Sequence, residues 1–131
     1  MKKLIALILP VVFATAVFAQ ERTQRTPEER ATMQTEHMTK ELSLNADQQK
    51  KVQDINLDAA KKMDALRASS KGDRDAMMTG MKQISDEKDV ALKAVLDEKQ
   101  YSSYSAMKQE RMNKMKENRK DSKPAEKPTQ N

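Results

Sequence analysis

The side chains best able to do chemistry here are thioethers. Beyond residue 19 the chain holds nine methionines, one histidine (His37), two tyrosines, and no cysteine, tryptophan or phenylalanine. Met77, Met78 and Met81 form one cluster and Met112 and Met115 another, at spacings that share one side of a helix. Met33 stands one turn before His37. Thioether and imidazole ligands suit monovalent copper, so Met33, His37, Met77 and Met81 are the candidate metal ligands. Against a metal centre, no compact cluster of His, Cys and carboxylates has ligand spacing, and methionine at helical intervals more often fills a core. The same residues have another use. Flexible thioether chains make surfaces that repack around many partners, and Met77, Met78, Met81, Met112 and Met115 are the apolar patches that a core can best spare. They are the candidate client-binding residues.

Catalysis finds no foothold. The chain has two glycines and no glycine-rich loop, and its carboxylates recur four residues from Lys or Arg, as in Asp58–Lys62, Asp89–Lys93 and Glu110–Lys114. Such pairs support solvated helix faces. A general acid or base needs a dry, shaped pocket, and no catalytic residue and no cofactor is expected.

The elements that must position these residues are helices. Thr26-Pro27-Glu28-Glu29 is a capping box with proline at the first helical position, opening a short helix to about Leu42. Leu44-Asn45-Ala46-Asp47-Gln48 opens a second, with Val52, Ile55, Ala59, Met63 and Leu66 three and four apart. It runs to about Ser69, roughly 35 Å at ~1.5 Å per residue. Ser70-Lys71-Gly72-Asp73 reads as a turn whose aspartate caps a third helix bearing Met77, Met81, Ile84, Leu92 and Val95. Gly80 inside it marks fraying or a close helix contact. Leu96-Asp97-Glu98-Lys99-Gln100 opens the fourth. No strand pattern competes.

The second and fourth starts repeat one another at an offset of 52 residues. In each, an apolar residue precedes a capping Asn or Asp, and a glutamine follows three residues on. The cap accepts from free N–H groups of the first turn while the glutamine reaches back to the cap's own N–H. Leu44, Asn45, Gln48, Leu96, Asp97 and Gln100 are therefore the candidate architectural residues. On these two stretches the chain resembles the LTxxQ-motif family of periplasmic stress proteins (Spy/CpxP-like), with threonine replaced by Asn45 and Asp97. The resemblance covers roughly residues 27 to 120. It implies an ATP-independent holdase, dimeric and cradle-shaped, made under envelope stress. It also brings in two alternatives: a periplasmic metal-stress protein using Met and His ligands, and a regulatory partner of a sensor kinase.

Residues 1–19 read as an export signal: Lys2 and Lys3, an apolar run to Phe18, and Val17-Phe18-Ala19 as a cleavage site. The run is shorter than the ~20 residues of a membrane span, so no stable membrane insertion is expected, and the mature chain belongs in the periplasm. The charge is +5 overall. From residue 108 onward there are 8 basic and 4 acidic residues. That basic stretch has no aromatic residue to stack on bases, and nucleic acid is not an expected partner. The expected organisation is a signal peptide at 1–19, a flexible N-terminus at 20–26, a helical domain at 27–120 and a disordered basic tail at 121–131. Eleven large aliphatics make a thin core for a domain of this size. The expected fold is all-α, a short helix and three long ones in an open, hairpin-like layer completed by an antiparallel homodimer. Unfolded or misfolded periplasmic and outer-membrane proteins are the expected clients, held on an apolar, charge-rimmed helical surface.

Overall fold

Four helices account for nearly all of residues 24–121, the part of the chain that the computed structural model describes. They are α1 (Pro27–Leu42), α2 (Ala46–Ser69), α3 (Arg74–Val95) and α4 (Glu98–Asp121), with no strand among the described residues. The expected signal at 1–19 lies outside those residues, as does the tail beyond Asp121. No helix among the described residues is long and apolar enough to cross a membrane.

Each start lies where the side chains require it. Thr26 accepts from the Glu29 N–H at 3.1 Å while the Glu29 carboxylate accepts from the Thr26 N–H at 2.9 Å. Asn45 and Gln48 repeat that reciprocal pair at 2.8 and 3.1 Å, and Asp97 and Gln100 at 2.7 and 3.0 Å. Asp73 caps α3 through the Ala76 N–H. The stops are equally local. Ser43 takes a left-handed conformation at φ 52° to end α1, and Gly72 does so at φ 81° in the α2–α3 turn. Connections this short force successive helices to run antiparallel.

The contacts fix the order of packing. Arg30 pairs with Asp64 at 2.6 Å, Gln53 reaches Thr32, and Asn56 reaches Thr35, so α1 lies along α2. Lys62 pairs with Glu87 at 2.7 Å, and Leu66 packs on Gly80, so α3 lies along α2's other side. Gly80 marks a close helix contact and not fraying: a Cβ there would stand 2.4 Å from Leu66 Cδ1. Fourth comes α4, which has no buried residue of its own and leans on α1 and α3.

The core gathers at one end. Met38, Leu42, Leu44, Val52, Leu92 and Leu96 are its buried members, with Ile55, Val95, Tyr101, Tyr104 and Met107 against them. Leu44 and Leu96, the residues that precede the two caps, are thus core side chains as well as staples. The opposite end, where α2 finishes and α3 begins, is thinly packed. Val90, one of the eleven large aliphatics of the sequence, is 72% exposed and outside the core. Asp89, four residues before Lys93, turns instead to α4, where its carboxylate accepts from Tyr104 at 2.9 Å and pairs with Lys108.

Candidate functional site

The closed end is locked by two side chains. Gln48 Oε1 accepts from the Asn45 N–H, and Gln100 Oε1 from the Asp97 N–H, which leaves each amide NH₂ facing the other hairpin. Gln48 Nε2 donates to Gln100 Oε1 at 2.7 Å and to the Val95 carbonyl at 3.2 Å. Gln100 Nε2 donates to Gln48 Oε1 at 3.1 Å and to the Leu42 carbonyl at 3.1 Å. Each amide therefore fills both donor and both acceptor positions. Two helix starts, α2 and α4, and two helix ends, α1 and α3, meet in one polar knot over the buried leucines. The six architectural residues expected from the sequence all converge here.

Away from the knot the four helices line a groove of about 410 Å³, within the roughly 300–1,000 Å³ of small-molecule sites. Its thioethers come from every helix: Met38 of α1, Met63 of α2, Met81 of α3, and Met107, Met112 and Met115 of α4. Of the candidate client-binding residues, Met81, Met112 and Met115 line it, while Met77 and Met78 do not. Met81, Met112 and Met115 stay 40–54% exposed. Lone exposed apolar residues mean little, but several converging in one concavity mark a binding surface.

The groove's charged lining is all of one sign. Arg30, Lys88, Lys108 and Arg111 contribute to it and no carboxylate does. Arg30 is neutralised by Asp64 and also donates to the Ala60 carbonyl, and Lys108 by Asp89. Lys88 is different. Burial, then the Arg111 and Lys108 cations, push its ammonium down to about 8 against a partial opposing pull from Asp89. The same burial, with Asp89 as hydrogen-bond acceptor, raises the Tyr104 phenol. Lys88 and Arg111 carry a signal in the sequence. The α3 stripe Met77, Met81, Ile84 continues to Lys88 before Leu92 and Val95, a charge set inside an apolar row. On α4, Arg111 lies one turn from Met107 and one from Met115.

The candidate metal ligands are not brought together in this groove. Met81 lines it, whereas Met33, His37 and Met77 do not, and His37 stands half-exposed beside Glu41 at 4.0 Å. Among the described residues no group of three or more His, Cys, Asp or Glu is placed to hold a metal ion.

No curated protein and no solved structure matches the chain. A family model does match, over residues 16–104, which is more than half of the chain and takes in α1, α2, α3 and the start of α4 up to Tyr104. With that extent of match, the chain belongs to the DUF4890 family, a domain of unknown function.

Proposed function

We propose that the protein is an ATP-independent holdase that keeps unfolded envelope proteins from aggregating, acting in the periplasm after removal of residues 1–19. The observation that carries this reading is the open groove with thioethers from all four helices and cations at its side. Unbranched, polarizable chains adapt to many apolar sequences, and fixed charges steer encounter and keep a loaded complex soluble. The two capping repeats, with their likeness to the LTxxQ pattern, support the same reading from the sequence side.

The test is light scattering from a chemically unfolded, unrelated protein diluted with and without residues 20–131. Suppressed scattering in metal-free buffer is the expected result. Unchanged scattering at a twofold excess of the protein would defeat the holdase reading. A second reading, soft-metal binding, draws on Met63, Met81, Met112 and Met115 sharing one cavity. It expects the melting temperature to rise with monovalent copper by mass action, so melts with and without added copper, beside the metal-free scattering, discriminate the two.

A further inference from the structure

The groove's lining residues can be ordered along its length. In the α3–α4 hairpin, positions recede from the turn at Leu96–Asp97 in step, as the contacts of Asp89 with Tyr104 and Lys108 establish. Tyr104 and Lys88 therefore lie nearest the closed end. Met107, Lys108 and Arg111 come next, close enough that Arg111 and Lys108 act on Lys88. Met81 on α3, with Met112 and Met115 on α4, lies beyond them toward the open end, and Met63 joins from α2. From Tyr104 to Met115 the α4 wall is about 16 Å long at 1.5 Å per residue.

In that hairpin Asp89 acts on Lys88, but its two oxygens are engaged by Tyr104 and Lys108. Lys88 and Arg111 line the groove with no carboxylate beside them in its lining. Lys88 is partly buried and Arg111 exposed beside it, and a partly buried ammonium is costly until an anion reaches it. An apolar channel leading away from such a pair fits a molecule with one negative head and one hydrocarbon chain.

We propose that the groove binds a free, single-chain anionic amphiphile, its carboxylate between Lys88 and Arg111 and its alkyl chain along Met63, Met81, Met112 and Met115. This goes beyond the holdase reading and does not depend on it: a protein that never suppresses aggregation could still carry such a ligand. The charge surplus selects a carboxylate head over a neutral or cationic one. The thioether wall selects a flexible alkyl chain over a rigid ring system. The open end admits chains of different length.

The probe is monomeric dodecanoate, titrated calorimetrically into residues 20–131 below its micelle concentration. Dodecyl maltoside and dodecyltrimethylammonium serve as neutral and cationic counterparts of equal tail length, also below theirs. One dodecanoate per chain is expected, with at least tenfold weaker binding of both counterparts, the scale of losing a charge-assisted contact. Lys88→Met and Arg111→Met should each weaken dodecanoate about tenfold while leaving the neutral counterpart's affinity unchanged. Helical circular dichroism would confirm that both variants fold, and the head-group comparison on the unaltered chain stands without them. Equal affinity for all three heads would overturn the proposal, as would no binding. So would a self-associated form that excludes dodecanoate, which would assign the groove to a second copy. Capture by vesicles containing anionic phospholipid, without binding of monomeric dodecanoate, would likewise overturn it in favour of a membrane surface.

Discussion

Gln48 and Gln100, 52 residues apart, hold each other's side-chain amides through two hydrogen bonds while each caps its own helix. The two jobs are chemically separable. Capping needs only an acceptor, which glutamate supplies as well as glutamine. The cross-hairpin bonds need the NH₂. Gln48→Glu should therefore keep the cap yet face the Val95 carbonyl and Gln100 Oε1 with acceptors against acceptors. A loss of about 2 kcal/mol is expected in urea unfolding at pH 7. The introduced carboxyl should titrate higher folded than unfolded, so the deficit is present above its folded pKa and shrinks as pH falls through it. A variant as stable as the parent at pH 7 would show that only capping matters.

Gly80 lets α3 approach Leu66 of α2 closely. Alanine at this position gains about 1 kcal/mol of helix propensity but drives its methyl into the leucine, an overpacking cost of about 1–3 kcal/mol. Gly80→Ala should be destabilising by about 1 kcal/mol in the parent. In a Leu66→Ala background, with the obstructing side chain gone, the same change should stabilise. A double-mutant cycle of thermal melts reads this reversal of sign, and equal effects in both backgrounds would refute the contact.

Asn56 is buried to 1% exposure, its NH₂ donating to Thr35 Oγ1 at 2.9 Å and lying 3.8 Å from Met38 Sδ. Its Oδ1 is buried without a hydrogen-bond partner. Thr35 keeps its own bond to the Ala31 carbonyl regardless. Removing an amide with one orphaned atom costs little when a similar apolar volume replaces it. Asn56→Leu should thus range from neutral to about 1 kcal/mol stabilising. A denaturant midpoint showing a loss above ~2 kcal/mol would mean that the amide contributes more than its bonds indicate.

Lys88 makes stability depend on alkaline pH. Its ammonium is held at about 8 in the folded protein against the ordinary 10.5. Between those values the unfolded chain binds more protons than the folded one, so stability rises with pH from about 8 toward 10. Above about 10 the raised Tyr104 phenol and the raised Lys62, Lys82 and Lys114 ammoniums act the other way, because the unfolded chain loses those protons first. Melting temperature should therefore peak near pH 10. Lys88→Met should remove the rise from pH 8 and add of order 1 kcal/mol at pH 7, after allowance for solvent screening. A rise that survives the substitution would locate its source elsewhere.

The helix starts were legible because they are local. Thr26, Asn45, Asp73 and Asp97 each satisfy N–H groups within three residues, so the bonds that stop unravelling are written in adjacent letters. The all-α architecture and the turn at Gly72 follow from similarly short-range chemistry, whereas only the packing of α3 on Leu66 of α2 decides between fraying and a close contact at Gly80. The two glutamines could be read as caps, but not as partners of one another. Their NH₂ groups point across to segments 47 and 58 residues away, which only the packed hairpins bring near. The same holds for the methionines. Spacing put Met77, Met78 and Met81 on one helix side, yet Met81 alone of the three lines the groove once the helices are packed. Tertiary packing also turned Lys88, an exposed-looking charge in a lysine-rich sequence, into a desolvated cation among thioethers. The sequence by itself determined where each helix begins and ends. Which faces meet, and so which side chains are dry, was decided by contacts between helices, because burial is a property of neighbours that lie far away along the chain.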